Sequence, residues 1–315
     1  MAVKKIMVAG GGVLGTQIAF QSAFCGIDTV IWLRSENFFK ETQAKLDEVK
    51  NHFIEAVSLM ATEEGRKPEN WCNGISDFDT FNKEELLKKI EEARNSIVCV
   101  TDLKEAAEGK ELIVESIPEN QDIKTAFFKM LGTIVGPETV VVTSSSTFVP
   151  SMFAKVSGIP ERFLSLHFSN KVWKNNIAEI MVHPGTSTGS FNLVYEYAKQ
   201  IRMMPLPIRK ENKGYLLNAM LLPFMFSALN MVVKGISDPQ SIDTAWKVGT
   251  GAPRGPFEIA DAVGLKAVND IVANYLKIPS FLAPYDFKGI YALIKSYLDA
   301  GKLGRVSGEG FYKYK

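Results

Sequence analysis

Residues 3–24 read VKKIMVAGGGVLGTQIAFQSAF. The stretch at 3–9 is a short apolar strand, and 16–24 continue as a helix. Between them Gly10, Gly12 and Gly15 keep a G-x-G-x-x-G spacing. Gly10 permits the tight turn out of the strand. Gly12, with Val13 and Leu14 after it, lets the backbone approach a pyrophosphate, and Gly15 lets the helix pack close on the strand. The free N–H groups at the helix start complete an anion site. Glycine spacing alone is a weak signal, but the strand before it and the helix after it predict a dinucleotide-binding unit. A strand beginning at residue 3 leaves no room for a leader, so the fold is expected to start here.

Outward from this unit, strands and helices alternate. Further strands are expected at 29–33, 96–100, 112–115, 139–143, 163–166 and 179–183, and helices at 38–60, 84–93, 123–131 and 191–201. Such alternation predicts an α/β, Rossmann-type doubly wound, mostly parallel sheet covered on both faces. In the helix at 38–60, Phe39, Thr42, Leu46, Val49, Phe53 and Val57 form one stripe, with Thr42 its weak member. The helices at 38–60 and 84–93 exceed a minimal crossover and read as a helical hairpin insertion projecting from the sheet. Lys50, Arg66, Lys67, Lys83, Lys88 and Lys89 spread positive charge over it, either as a solvated face or as a grip on an anionic ligand. After Pro205 and Pro207 the pattern becomes helical, at 214–233, 238–247, 264–275 and 285–300. The expected division is a dinucleotide-binding domain at 1–205 and an all-helical domain at 206–315.

The bulk composition excludes several classes. With 36 basic and 35 acidic residues, no net charge pulls the chain toward nucleic acid or an anionic membrane. Cys25, Cys72 and Cys99 show neither metal spacing nor a disulfide framework, which predicts a reducing, cytoplasmic setting and no metal site. The most apolar stretch, 215–233, contains Asn218, Pro223, Ser227 and Asn230. Lipid offers such polar groups few partners, so a core helix is expected there.

Histidine occurs three times. His52 lies in the amphipathic helix and His183 precedes Pro184. His167 directly follows a strand, where a doubly wound fold places its chemistry. Ser146 sits in a hydroxyl run, 144–147, after another strand; Glu179 follows His167 in sequence, and Asn218 is a polar group in an apolar helix. Each also has an ordinary reading: a hydrogen-bonded core histidine, a helix cap, a surface acid, a core amide.

At these residues the chain resembles the L-3-hydroxyacyl-CoA dehydrogenase family, and the resemblance runs through nearly the full length. Glu115-Ser116-Ile117-Pro118-Glu119-Asn120 resembles the family segment that closes over the nicotinamide side of the cofactor. Residues 144–148 resemble its Asn-Thr-Ser-Ser-Leu motif, which places Ser146 on the functional serine. His167-Phe168-Ser169-Asn170 resembles His-Phe-Phe-Asn, with Glu179 on the acid that pairs with the histidine. Gly214-Tyr215-Leu216-Leu217-Asn218 resembles Gly-Phe-Ile-Val-Asn. Gly255-Pro256-Phe257-Glu258, Asp261-Ala262-Val263-Gly264-Leu265 and the closing run 304–312 resemble motifs of the helical domain.

The resemblance implies a fatty-acid-metabolism oxidoreductase moving a hydride between a nicotinamide cofactor and short-chain 3-hydroxyacyl-CoA or 3-oxoacyl-CoA, of the 3-hydroxybutyryl-CoA/acetoacetyl-CoA type. His167 and Glu179 would form the proton relay, with Ser146, Asn170 and Asn218 on the substrate. Glu119, Lys124 and Ser144 would line the cofactor; on the charge of the hairpin, Lys50, Arg66 and Lys67 are expected to meet the coenzyme A phosphates. It also implies a homodimer formed through the helical domain. Two departures stand out. The family ends its second strand with an Asp that binds the adenosine ribose, whereas Arg34 and Ser35 stand here. An acid repels a 2′-phosphate and an arginine pairs with it, so NADP(H) is expected, with NAD the alternative. The family's Phe-Phe-Asn-Pro becomes Phe168-Ser169-Asn170-Lys171, which keeps open a dehydrogenase of a free 3-hydroxy acid, like carnitine or gulonate dehydrogenase. A binding protein retaining only the nucleotide fold, like the crystallin-type relatives, is a third class.

Overall fold

The computed structural model describes residues 2–314, and the chain divides after Leu216 into two compact units. The first runs β1 (Lys5–Ala9), α1 (Val13–Phe24), β2 (Asp28–Trp32), α2 (Phe39–Met60), α3 (Lys83–Ser96), β3 (Val98–Val100), α4 (Leu103–Ala107) and β4 (Leu112–Glu115). It continues through α5 (Gln121–Leu131), β5 (Val140–Thr143), α6 (Ser151–Ala154), β6 (Phe163–Phe168), β7 (Ile177–Met181), α7 (Thr188–Gln200) and β8 (Met204–Ile208). The strands form one sheet in the order β3-β2-β1-β4-β5-β6-β7-β8. Pairing is parallel from β3 to β6; β7 turns antiparallel to β6, and β8 lies parallel to β7.

One face of the sheet is covered by α1, α2, α3 and α7. Ile18, Phe20, Leu46, Phe53, Ile90, Val194 and Tyr197 pack there on Ile6, Val8, Val114 and Leu166. The other carries Phe127, Phe128 and Phe153 against Met7, Ile113 and Phe163. The α2–α3 hairpin is inserted between β2 and β3, yet it packs on α1 rather than standing clear of the sheet. Thr42, the weak member of the α2 stripe, is buried because it packs under the glycine turn: a Cβ on Gly11 would lie 2.1 Å from Thr42 Oγ1.

Of the expected boundaries that shift, three bear on the site. The division expected at 205/206 falls inside β8. Pro205 and Pro207 read as a break, but β8 is an edge strand, where a residue lacking an N–H is tolerated. Strand β7 begins two residues earlier than expected and leaves His183 outside the ladder, bonded to the Pro160 carbonyl at 3.0 Å. The helix expected from Gly214 starts at Leu217, because Gly214 and Tyr215 both hold positive φ, +81° and +56°.

The second unit comprises α8 (Leu217–Val233), α9 (Pro239–Thr250), α10 (Pro256–Val263), α11 (Leu265–Tyr275) and α12 (Phe287–Asp299). Phe226, Leu229, Phe257, Leu265, Val268 and Ile290 make its core. Two buried carboxylates brace it. Asp243 accepts from the N–H groups of Phe257 and Glu258 and from the Tyr312 hydroxyl, at 2.9, 3.0 and 2.9 Å. Asp261 accepts from Phe311 N, Tyr312 N and the Tyr314 hydroxyl, at 2.9, 3.0 and 2.8 Å. Among the described residues, no helix is long and apolar enough to cross a membrane.

Candidate active site

The glycine turn between β1 and α1 is built by exclusion. Gly10 sits at φ +119°, and a Cβ on it would lie 2.4 Å from the Ser116 carbonyl oxygen. A Cβ on Gly15 would lie 2.2 Å from the Gly10 carbonyl oxygen, so the helix could not approach the turn with any larger residue. Gly12 differs, since nothing lies within 4 Å of its Cβ direction. It caps α1, no side chain caps the helix, and the first turn of the helix lines a cleft. This suits a pyrophosphate. The adjoining cleft, about 710 Å³, is lined by Gly10, Gly12, Val13, Leu14, Arg34 and Phe38, among others.

Arg34 follows β2 at the rim of this cleft and lies over the Phe38 ring, 4.7 Å from its centroid. The one acid lining the cleft, Glu41, is paired with Lys45 at 2.6 Å. Ser35 accepts from Asn37 N at 3.2 Å, which fixes the turn that presents Arg34.

Beyond Gly10, the carboxyl ends of β4 and β5 carry a buried polar network. Lys124 Nζ meets Glu115 Oε1 at 2.5 Å, Ile117 O at 3.2 Å and Glu119 Oε2 at 3.2 Å. All three ammonium protons thus have partners inside the protein. Lys124, expected as a direct cofactor contact, braces the segment that carries Glu119. Thr143 Oγ1 donates to Glu115 Oε2 at 2.7 Å. Burial pushes the Glu115 carboxyl up despite these donors. Burial works against the charge of Glu119 too, but the hydroxyl of Ser145, the Lys124 ammonium and Thr147 N outweigh it and hold that carboxyl below the usual range. Ser144 is buried and bonded through its N–H to the Glu115 carbonyl at 2.9 Å. Ser146 is exposed in the loop just past β5.

His167 and Glu179 are brought together by strand register. They are directly opposite on antiparallel β6 and β7, and His167 Nδ1 lies 2.8 Å from Glu179 Oε2. Both are buried. Glu179 Oε1 accepts from Leu216 N at 2.8 Å. The left-handed pair Gly214-Tyr215 makes that contact and also lays the Tyr215 ring on the imidazole, centroids 4.4 Å apart and planes at 22°. With Nδ1 on the carboxylate, Nε2 is the atom left to exchange a proton. Because Thr143 on parallel β5 pairs with Ser165 on β6, the hydroxyl run leaves the sheet level with His167. Asn170 is exposed in the loop following β6, and its carbonyl accepts from Asn175 Nδ2 at 2.7 Å.

Other expected residues are placed differently. Lys50 pairs with Glu91 at 2.9 Å and Lys67 with Glu64 at 2.5 Å, while Arg66 lies over the Phe78 ring at 5.2 Å. Lys88 and Lys89 also face acids, Glu92 and Glu85. The hairpin's charge is therefore largely balanced locally. Asn218 stands half-buried in the first turn of α8, in the second unit. Sequence reading missed Ser145 and Tyr215. Tyr215 carried a faint signal, an aromatic directly after a glycine; Ser145 was hidden in a run of three serines.

Comparison with known proteins follows the same outline. The family described as "3-hydroxyacyl-CoA dehydrogenase, NAD binding domain" matches residues 5–212, and "3-hydroxyacyl-CoA dehydrogenase, C-terminal domain" matches 214–314. The mitochondrial hydroxyacyl-coenzyme A dehydrogenase of Homo sapiens is 28% identical, covering 99% of this chain and 92% of its own length. A probable 3-hydroxybutyryl-CoA dehydrogenase of Deinococcus radiodurans is 30% identical, covering 98% and 100%. A solved diketoreductase, described by its dual catalysis of dicarbonyl compounds, is 34% identical with a TM-score of 0.82, covering 100% of both chains. The (S)-3-hydroxybutyryl-CoA dehydrogenase of Ralstonia eutropha shares the fold at a TM-score of 0.74 and 23% identity, covering 99% of both chains.

Proposed function

We propose a specific reaction for this chain, which belongs to the 3-hydroxyacyl-CoA dehydrogenase family and is an NAD(P)-dependent enzyme of that type. The reaction is reversible hydride transfer between NADP(H) and a short-chain 3-hydroxyacyl-CoA/3-oxoacyl-CoA pair, with acetoacetyl-CoA and 3-hydroxybutyryl-CoA the natural test substrates. The observation that carries it is the buried His167–Glu179 pair at the end of the sheet that bears the dinucleotide turn.

Bound nicotinamide is the hydride carrier. The chain's own task is the proton. In the oxidation direction, His167 Nε2 accepts the hydroxyl proton while Glu179 stabilises the resulting imidazolium and fixes the ring's tautomer. In reduction the same atom returns the proton to the alkoxide. Tyr215 keeps the ring in plane by stacking on it, and Leu216 N holds the carboxylate. Ser146, Asn170 and Asn218 are proposed to orient the substrate oxygens, where donors count most as negative charge develops. Gly10 and Gly15 let the turn close and Gly12 leaves space for the pyrophosphate; Arg34 is proposed to pair with the 2′-phosphate of NADP. Met220, Trp246 and Val248, large apolar side chains exposed on the second unit, support the proposal of a homodimer.

A second reading has its own support. The locally paired lysines of the hairpin and the 34% identity to a diketoreductase favour a 3-oxo compound not joined to coenzyme A. Steady-state kinetics on acetoacetyl-CoA, free acetoacetate and a simple 3-oxo ester, each with NADPH and NADH, separates the two. A kcat/KM at least tenfold higher for the thioester with NADPH supports the first. Equal values for thioester and ester refute it in favour of the second, and NADH used as well as NADPH overturns the assignment of Arg34.

A further inference from the structure

Helix α1 has almost no exposed face, yet carries two glutamines four positions apart, Gln17 and Gln21, both buried. A buried amide needs partners. Gln21 donates to the carbonyls of Gly74 and Ile201, at 2.8 and 3.0 Å, and ties the inserted loop to the end of α7. Gln17 makes a different connection. Its Oε1 accepts from Lys171 N at 2.7 Å and lies 3.4 Å from Val172 N. These amides belong to the loop that leaves β6 immediately after His167 and carries Asn170.

Lys171 is one of three non-glycine residues with positive φ, at +59°, among the described residues. A lysine gains nothing intrinsic from that conformation, which L-residues disfavour. It turns the Lys171 N–H inward toward Gln17 and lets the Lys171 carbonyl accept from Lys174 N and Asn175 N, both at 2.8 Å. Val172 and Trp173 are then buried, with Trp173 packed on Phe53 and on the His52 ring. A proline at this position could neither hold this φ, being fixed near −65°, nor donate an N–H to Gln17.

We propose that Gln17 is a positioning residue, whose buried side-chain oxygen anchors the backbone at Lys171 and Val172 and so fixes the loop presenting Asn170 to substrate. The helix that begins at the dinucleotide turn thereby also sets the geometry of the substrate loop. This rests on the proton-relay reading of His167, but the anchor itself can be read without turnover.

The test uses the full-length chain and four variants: Gln17→Met, which keeps the side chain's length and removes the acceptor; Lys171→Pro; Lys171→Gly; and the Gln17→Met/Lys171→Pro double variant. Amide hydrogen exchange over residues 169–176 reports the anchor. Faster exchange in Gln17→Met is expected, and unchanged exchange overturns the proposal. Whichever 3-oxo substrate the wild type reduces reports the consequence. In Gln17→Met, kcat/KM for that substrate should fall about tenfold, mostly through KM, because small misplacements of substrate-orienting groups are costly. The cofactor Kd should stay within about twofold, which general damage to α1 would not allow. Lys171→Gly, which keeps the N–H and accepts positive φ, should stay near wild type, while Lys171→Pro should match Gln17→Met. The double variant should be no worse than the poorer single one. Wild-type kcat/KM in Gln17→Met, or losses that multiply in the double variant, would refute the coupling. If Gln17→Met does not fold, the Lys171→Gly and Lys171→Pro pair decides by the same measures. If the wild type reduces no 3-oxo compound, the functional reading fails while the exchange data still judge the anchor.

Discussion

Replacing Glu179 with glutamine is a sharp perturbation because both carboxylate oxygens are committed. Oε2 receives His167 Nδ1 and Oε1 receives Leu216 N, each at 2.8 Å. Glutamine keeps the shape but offers one oxygen. If the amide oxygen serves Leu216, its NH2 group meets the imidazole donor; if it serves His167, it faces the Leu216 N–H with a second donor. Either orientation removes one charge-assisted hydrogen bond and takes the counter-charge from the imidazolium. Such a bond is worth about 1.5–3 kcal/mol, which corresponds to roughly a 10- to 150-fold fall in kcat. The assay is kcat for acetoacetyl-CoA reduction at saturating NADPH, with the NADPH Kd measured separately by fluorescence. The Kd should change by less than about twofold, because the glycine turn and Arg34 follow β1 and β2, away from β7. A kcat within about twofold of wild type would refute the reasoning, since it would mean that the buried pair plays no part in the rate-limiting proton transfer.

Arg34→Asp should raise the NADPH Kd roughly 10- to 100-fold while leaving NADH within a fewfold, read by titration of both cofactors; an unchanged ratio would place selectivity elsewhere. The turn glycines should separate into two kinds. Gly11→Ala should lower the melting temperature by roughly 3–10 °C, because its Cβ collides with Thr42. Gly12→Ala should melt within about 2 °C of wild type, with cofactor affinity down at least tenfold, because its methyl fills only the space above the helix N-terminus. In the helical unit, burial and the bond to Asp261 push the Tyr314 phenol up to about 12; burial and Asp243 raise Tyr312 as well. An unfolded tyrosine titrates near 10, so the stability these phenols add is whole below about pH 10 and is lost as pH rises toward about 12. Denaturant unfolding across that window should show a shallower alkaline decline for Tyr314→Phe than for wild type, and identical slopes would contradict the assignment.

The glycine turn and the sheet were legible because periodicity and spacing are local. Residues 3–24 specify β1, the turn and α1 with little help from the rest of the chain. The His167–Glu179 partnership rested on family resemblance, since eleven intervening residues do not reveal a register; the antiparallel return of β7 puts the two side chains opposite one another. Strand β8 was hidden by Pro205 and Pro207, whose cost vanishes only once the strand is known to lie at an edge. The local pairing of the hairpin's charge was hidden for a related reason. Composition counts Lys50 and Lys67 but not their partners, and Glu91 reaches Lys50 only through the packing of α3 on α2. Gln17 and Tyr215 act through backbone conformations at Lys171 and Gly214 that no local pattern announces.

The central claim is that His167 moves the proton. The most direct measurement is single-turnover reduction of acetoacetyl-CoA by His167→Gln beside wild type, with NADPH binding determined in the same preparations. The account predicts cofactor binding nearly unchanged and a rate lower by roughly 10²- to 10⁴-fold, the usual worth of a positioned acid–base group. A rate close to wild type in a variant that binds NADPH normally would contradict it.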